Sequence, residues 1–158
     1  MISIYTDGAS RGNPGPGGYG AVMLYGAHRK ELSEGFRLTT NNRMELLSVI
    51  AALEALKNDD SAVTIYSDSK YVVDSVEKKW VFTWEKKYFK DKKNSDLWIR
   101  FLNVYRKHKV KFVWVKGHGS NKENNRCDEL AVSAAQTAYL KVDYGYEKEI
   151  QKENSKLL

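Results

Sequence analysis

Four carboxylates, Asp7, Glu45, Asp68 and Asp128, stand at junctions between apolar segments and turns, in four separate stretches of a chain whose net charge is +6. If a fold gathers them, the cluster repels itself unless a hard cation neutralises it, and an all-oxygen donor set favours magnesium or manganese. Asp7 and Asp68 share a local pattern, Ile4-Tyr5-Thr6-Asp7-Gly8 and Ile65-Tyr66-Ser67-Asp68-Ser69. In each, a β-branched and aromatic strand runs out into a hydroxyl, an acid and a small residue. Open α/β sheets bind ligands beyond the carboxyl ends of their strands, so neighbouring parallel strands would turn both acids into one crevice. Each acid also has a local job open to it: Asp7 can begin a turn and Asp68 can cap the next helix.

Glu45 and Asp128 read as helical acids. Glu45 follows Asn42 by three residues, as in a capping box, and shares a stripe with Val49, Ala52 and Leu56. A carboxylate on an apolar stripe must be paired, protonated or bound to metal. Asp128 follows Asn125 at the same spacing, which reads as a cap pair, and stripes with Ala131, Ala135 and Ala138. His118 sits between Gly117 and Gly119 just past a strand, a loop that suits either an exposed bystander or a group that must swing.

The elements that must position these groups follow in order. ISIYTDGAS is a strand, and RGNPGPGGYG, with five glycines and both prolines, is expected as a structured turn. GAVMLYG and KELSEGFRL are strands of a meander around Gly26–Arg29. TTNNRMELLSVIAALEALKNDD is a helix capped by Asn42, and AVTIYSDS a buried strand. KYVVDSVEKKWVFTWEKKYF makes one or two helices, NSDLWIRFLNVYRKHK another, KFVWVKGH a strand and ENNRCDELAVSAAQTAYL the last helix. That order predicts an α/β fold: a five-stranded mixed sheet, three antiparallel strands and then parallel ones, with helices on both faces. Residues 1–142 are expected to form a single domain, and 143–158 a tail of no clear period.

At 158 residues, 42% hydrophobic and 29% charged, the chain is long enough for one core without staples. No apolar run approaches the roughly 18 residues of a membrane span, and the opening MISIYTDGAS has neither the basic nor the apolar region of a secretory signal. The single cysteine, Cys127, excludes an internal disulfide and fits a reducing cytoplasm; with only three histidines beside it, a structural zinc site is not expected. His28 and His108 read as surface residues.

The positive charge could be a solvated lysine surface or a contact with nucleic acid phosphate. Its placement is uneven. Residues 78–93 hold seven lysines against Glu85 and Asp91, leaving +5, with Trp80, Phe82, Trp84, Tyr88 and Phe89 between them. Phe82 and Phe89 are the core candidates there; basic charge interleaved with aromatics suits a groove that tracks a sugar–phosphate backbone.

These blocks together, YTDGASRGNPGPGGYG, TTNNRMEL, YSDSKYV, WVKGHG and NNRCDELA, resemble the type 1 ribonuclease H family in order and spacing, from Ile2 to about Ala138. The resemblance implies a ribonuclease H-like fold. It also implies a divalent-metal-dependent endonuclease that hydrolyses the RNA strand of RNA–DNA hybrids, leaving 3′-hydroxyl and 5′-phosphate ends, largely without regard to sequence. It further implies two Mg2+ ions during catalysis, with Mn2+ a possible substitute, on Asp7, Glu45, Asp68 and Asp128. His118 would assist proton transfer or product departure. Two cations roughly 3.5–4 Å apart are also what allow four acids to stay ionised together.

The same resemblance implies a basic protrusion at 78–93, with Trp80 against the DNA strand and Trp84, Lys86 and Lys87 along the groove. It places Asn13, Asn41 and Asn42 beside the 2′-hydroxyls, and Thr40 and Asn94 in a pocket for a DNA phosphate. Lys70 stands where relatives often carry glutamine, replacing an amide by a phosphate contact. No obligate protein partner is implied, so a monomer acting on a hybrid duplex is expected, without a membrane. The alternatives are a DNA-acting nuclease of the same superfamily, an inactive hybrid-binding module, and a metalloenzyme that does not act on nucleic acid. The protrusion and the intact acids stand against these.

Overall fold

A computed structural model describes residues 1–157. Strand β1 (Ile2–Ser10) pairs antiparallel with β2 (Gly15–Tyr25), which pairs antiparallel with β3 (His28–Thr39). Helix α1 (Asn41–Glu54) crosses to β4 (Ala62–Ser67), which lies parallel to β1. Helices α2 (Lys70–Glu77), α3 (Trp80–Lys86) and α4 (Ser95–Tyr105) precede β5 (Lys109–Trp114), parallel to β4. Helices α5 (Lys122–Ala135) and α6 (Tyr144–Ser155) follow. The strands lie in the order β3-β2-β1-β4-β5, a five-stranded mixed sheet as expected.

The two faces are told apart by alternation along β1. Ile4, Thr6 and Gly8 look toward α1, while Asp7 shares its face with its partner Gly20, where a Cβ would strike Cys127 and Leu130 of α5. Helices therefore cover both faces. Helix α1 is buried from Arg43 to Leu53 except at Ala51, because it is enclosed between the sheet and α4. Trp98 and Phe101 of α4 are fully buried, and Trp84 of α3 meets the Trp98 ring edge-on at 5.8 Å. That aromatic stack anchors the basic protrusion to the core.

Four expectations are corrected. The glycine-rich segment is not simply a turn: from Gly15 onward it is strand β2, with Pro16 at a register shift against β3. A proline is tolerated at such a break in the ladder. The connection between β2 and β3 is tighter than Gly26–Arg29, since β3 already begins at His28. The segment after Val142 forms α6, which has no buried residue and is held by polar contacts instead. His108, read as a surface residue, is half-buried, and its Nδ1 accepts from the Ser61 backbone N–H at 3.3 Å. Among the described residues no helix is long and apolar enough to cross a membrane.

Candidate active site

Register places the first pair of acids. Thr6 of β1 lies beside Ser67 of β4 in parallel pairing, so Asp7 and Asp68 follow side by side on adjacent central strands. Asp68 stands just past the carboxyl end of β4 as expected, whereas β1 runs on to Ser10 against β2, which leaves Asp7 inside its strand. Asp7 is only 5% exposed, and its Oδ1 accepts the Gly8 backbone N–H at 2.9 Å. The Asp68 turn is fixed from β5: the Trp114 indole N–H donates to the Asp68 carbonyl at 3.1 Å, and Val115 N–H donates to the Ser67 carbonyl at 2.9 Å.

Glu45 arrives from the other face of the sheet. Gly8 has no side chain, and a Cβ there would lie 2.3 Å from the Glu45 nitrogen, so only glycine lets α1 descend far enough onto β1. The helix does not start as the sequence implied. Thr40, not Asn42, is its N-cap, and the Thr40 hydroxyl accepts Arg43 N–H at 3.2 Å. Glu45 is the fifth residue of α1 and therefore not a capping-box partner. Asp128 is corrected likewise: Asn121 caps α5 by accepting Asn124 N–H at 3.0 Å, which leaves Asp128 nearly two turns inside the helix.

One oxygen from each of Asp7, Glu45 and Asp68 lies within 4.8 Å of the others. Asp128 is half-buried and stands outside this tight triad, although its charge is felt at both Asp7 and Asp68. Burial, aided by the charges of Asp68 and Asp128, pushes the Asp7 carboxyl up to about 7. Burial and the adjacent Asp7 hold Glu45 well above the usual carboxylate range, and burial raises Asp68 too. Without a cation the triad must therefore keep protons near neutral pH. The buried Glu45 Oε2 has no hydrogen-bond partner among the described residues. A set of hard oxygens, one of them orphaned, fits a divalent cation.

His118 is exposed at φ +53° in the loop joining β5 to α5. That loop presses on the triad, because a Cβ on Gly117 would lie 2.6 Å from Asp68 Oδ2. The histidine is close enough for its charge to favour the ionised form of Asp68.

The other sequence candidates surround the triad at greater distance. Asn13, Asn41 and Asn42 are exposed, with Asn13 Oδ1 accepting the Asn41 backbone N–H at 3.1 Å. Asn94 precedes α4 in left-handed geometry and donates to the Tyr71 hydroxyl at 3.0 Å. Trp80 is 45% exposed beneath the Lys78 ammonium, and Lys86 and Lys87 are exposed. Trp84 differs: it is half-buried between Trp98 and Lys92 and acts first as an anchor. Phe89 is buried and Phe82 partly so, as expected of core positions.

Sequence reasoning missed Arg43. It is 3% exposed and forks into Asp143 (2.8 and 2.9 Å) and Asp96 (2.9 and 2.7 Å), joining α1 to the starts of α4 and α6. Thr39 donates to Asp143 at 2.8 Å, and Asp143 caps α6. Between Thr40 and Asn94 this fork braces the proposed phosphate pocket. The available signal was an arginine inside an otherwise apolar helix, which demands a buried partner.

The comparisons agree with this geometry. A family model described as RNase H matches residues 1–136. Ribonuclease H of Syntrophus aciditrophicus (strain SB) is 57% identical over 151 residues, 92% of this chain and 87% of that protein. Ribonuclease HI of Synechocystis sp. (strain ATCC 27184 / PCC 6803 / Kazusa) is 51% identical, over 93% of this chain and 95% of that protein. Among solved structures, LC9-RNase H1, a type 1 enzyme with the type 2 active-site motif, superposes with TM-score 0.78 at 34% identity, covering 93% of this chain and 79% of its own. LC11-RNase H1, solved in complex with an RNA/DNA hybrid, superposes with TM-score 0.66 at 28% identity, covering 85% and 96%. The chain belongs to the ribonuclease H family, as a type 1 enzyme of bacterial kind: a metal-dependent endoribonuclease that cleaves RNA in RNA–DNA hybrids.

Proposed function

We propose that Asp7, Glu45, Asp68 and Asp128 form the cation site of this endonuclease, with Mg2+ as the working ion and Mn2+ a substitute. The observation that supports this most is the triad of buried Asp7 and Glu45 with half-buried Asp68, whose oxygens converge within 4.8 Å while Glu45 Oε2 stays unpartnered among the described residues. When bound there, two divalent cations supply a nucleophile from water at neutral pH and stabilise the departing 3′-oxygen. Asp7 within β1 and Asp68 just past β4 set the reaction centre; Glu45 and Asp128 close it from opposite faces of the sheet. His118, on its exposed loop, handles a proton at the leaving or attacking oxygen, or helps the product depart.

Recognition is divided between the strands of the hybrid. Asn13, Asn41 and Asn42 offer amides that donate to and accept from 2′-hydroxyls in the wide minor groove. Thr40 and Asn94, braced by Arg43, hold a DNA phosphate. Trp80, Lys86 and Lys87, with Trp84 beneath them, track the DNA backbone, so binding carries little sequence information. Lys70, whose ammonium lies 4.8 Å from the Trp114 ring centroid, adds a phosphate contact beside Asp68. The protein works as a monomer in the reducing cytoplasm, where the buried Cys127 stays a thiol. Cleavage of labelled hybrid, duplex DNA and duplex RNA, each with Mg2+ and with chelator, tests the reading. Cutting of the hybrid's RNA strand alone, lost with chelator, is expected; equal cutting of duplex DNA contradicts it.

A further inference from the structure

Helix α5 packs on β1, β2 and β3, while α2 covers β4 and β5 from the opposite face. Among the described residues no helix packs closely on the β4–β5 half of the sheet on the α5 side. Register shows which side chains that open half presents. Tyr5, Tyr66 and Val113 form one row; Thr64, buried against Met1, and the exposed Lys111 lie in the next; Ala62 and Lys109 lie in the last. The alternate residues Ile65 and Phe112 are buried on the other face, which fixes the assignment.

Tyr5 and Tyr66 stack, with ring centroids 4.6 Å apart and planes 12° from parallel. Tyr5 stands two residues before Asp7 on β1, and Tyr66 two residues before Asp68, which follows the end of β4, so the ring pair adjoins the triad along both strands. Tyr5 occupies one face of the half-buried Tyr66 ring, and on its other side Tyr66 pairs in register with Val113 of β5, itself half-buried. Lys109 and Lys111 are exposed, and neither enters an ion pair among the described residues. Glu123, whose charge is felt at Tyr5, is already engaged by Arg29 at 2.7 Å.

Aromatic faces flanked by unpaired lysines are what a polynucleotide single strand needs: stacking for bases and positive charge for phosphates, with no demand for sequence. Continuity chooses the strand. The scissile phosphate must meet Asp7 and Asp68, and two residues along a strand span about 6.6 Å. A strand held at these acids therefore has the tyrosine pair within reach of its adjoining nucleotides. We propose that Tyr66, Val113, Lys109 and Lys111, with Tyr5 backing the stack, form a docking track for an unpaired RNA tail running out of that centre. This track is separate from the 78–93 protrusion and rests on the acids being the cleavage site.

The test uses the full chain and three substrates: a blunt hybrid, the same hybrid with a single-stranded RNA tail, and one with a single-stranded DNA tail. One stacked base contributes on the order of 1 kcal/mol or more, so the RNA tail should lower KM by about 5-fold or more. Tyr66→Ser, and separately the pair Lys109→Glu and Lys111→Glu, should abolish that advantage. Both should leave blunt-hybrid turnover within about twofold, and Tyr66→Phe should keep the advantage. The lysine pair is exposed, so it tests the track even if Tyr66→Ser folds poorly. An RNA tail that confers nothing, an equal gain from the DNA tail, or variants that keep the gain would overturn the track. Blunt cleavage in all three cases shows that the reading of the acids survives.

Discussion

Gly8 and Glu45 touch so closely that a single methyl group on Gly8 would fall 2.3 Å from the Glu45 backbone nitrogen and 2.4 Å from the Met44 carbonyl carbon. Both obstacles are backbone, so neither can swing aside. The seating of α1 on β1, and with it the fourth-to-fifth-residue stretch of the helix that carries Glu45, depends on that missing side chain.

Gly8→Ala should therefore lift α1 away from the triad. Overpacking of this kind costs about 1–3 kcal/mol, or roughly 2–4 °C of Tm for each kcal/mol in a chain of this size. Turnover should fall more steeply than stability, because Glu45 withdraws from Asp7 and Asp68. Thermal melts alongside initial cleavage rates check this; an alanine variant with unchanged Tm and unchanged rate would show that the contact is not needed.

The pH dependence of the metal-free protein follows from the same burial. The folded-state carboxyl of Asp7 is raised from 3.8 to about 7, so between those values the folded chain binds more protons than the unfolded one. Stability is then lost as pH rises through that window, the reverse of a salt-bridged acid. Asp7→Asn removes the effect. In chelator, its Tm should match wild type near pH 4 and exceed it at pH 8; adding Mg2+ should raise the wild-type Tm and leave the variant's unmoved. A variant less stable than wild type at pH 8 in chelator would contradict this.

Arg43 ties together segments a hundred residues apart. Removing it strands Asp143, which is 7% exposed, without its charge partner. Breaking a buried pair costs about 3–5 kcal/mol. Arg43→Met should lower Tm by at least about 6 °C and raise KM through the Thr40–Asn94 pocket, as followed by melts and by kinetics on a hybrid. A loss of under about 2 °C would mean the fork carries little weight.

Charge on the protrusion should be read in salt. Changing Lys86, Lys87, Lys90 and Lys92 to glutamine removes up to four phosphate contacts, each worth about 0.7–0.9 in the slope of log affinity against log salt. A shallower slope with kcat little altered is expected from fluorescence anisotropy at several salt concentrations. An unchanged slope would place the hybrid elsewhere.

Much of this was legible in the sequence, and the parts that were not share a physical reason. The pairing of Asp7 with Asp68 was legible because strand register is local and both acids follow a hydrophobic run and a hydroxyl residue; only Asp68 marks a carboxyl end, since β1 continues past Asp7 to Ser10. Helix starts were less legible. TTNN and SNKENN offer several side chains able to cap, and the choice fell on Thr40 and Asn121, not on Asn42 and Asn125, because tertiary seating decides which turn begins first. The glycines of residues 15–20 read as turn formers; Gly18 and Gly20 in fact let α5 lie close on β2, a contact invisible without the fold. Helix α6 left no apolar stripe to find, since Asp143 with Arg43 and Glu147 with Arg37 hold it in place of a buried face.

Cation-dependent cleavage is assigned to the triad of Asp7, Glu45 and Asp68. Cleavage of a labelled RNA–DNA hybrid in Mg2+ by wild type and by Asp7→Asn, with hybrid affinity measured on the same samples, tests it most directly. The account predicts cleavage by wild type and none above background by the variant, at equal affinity. Near-normal magnesium-dependent cleavage by Asp7→Asn would contradict it.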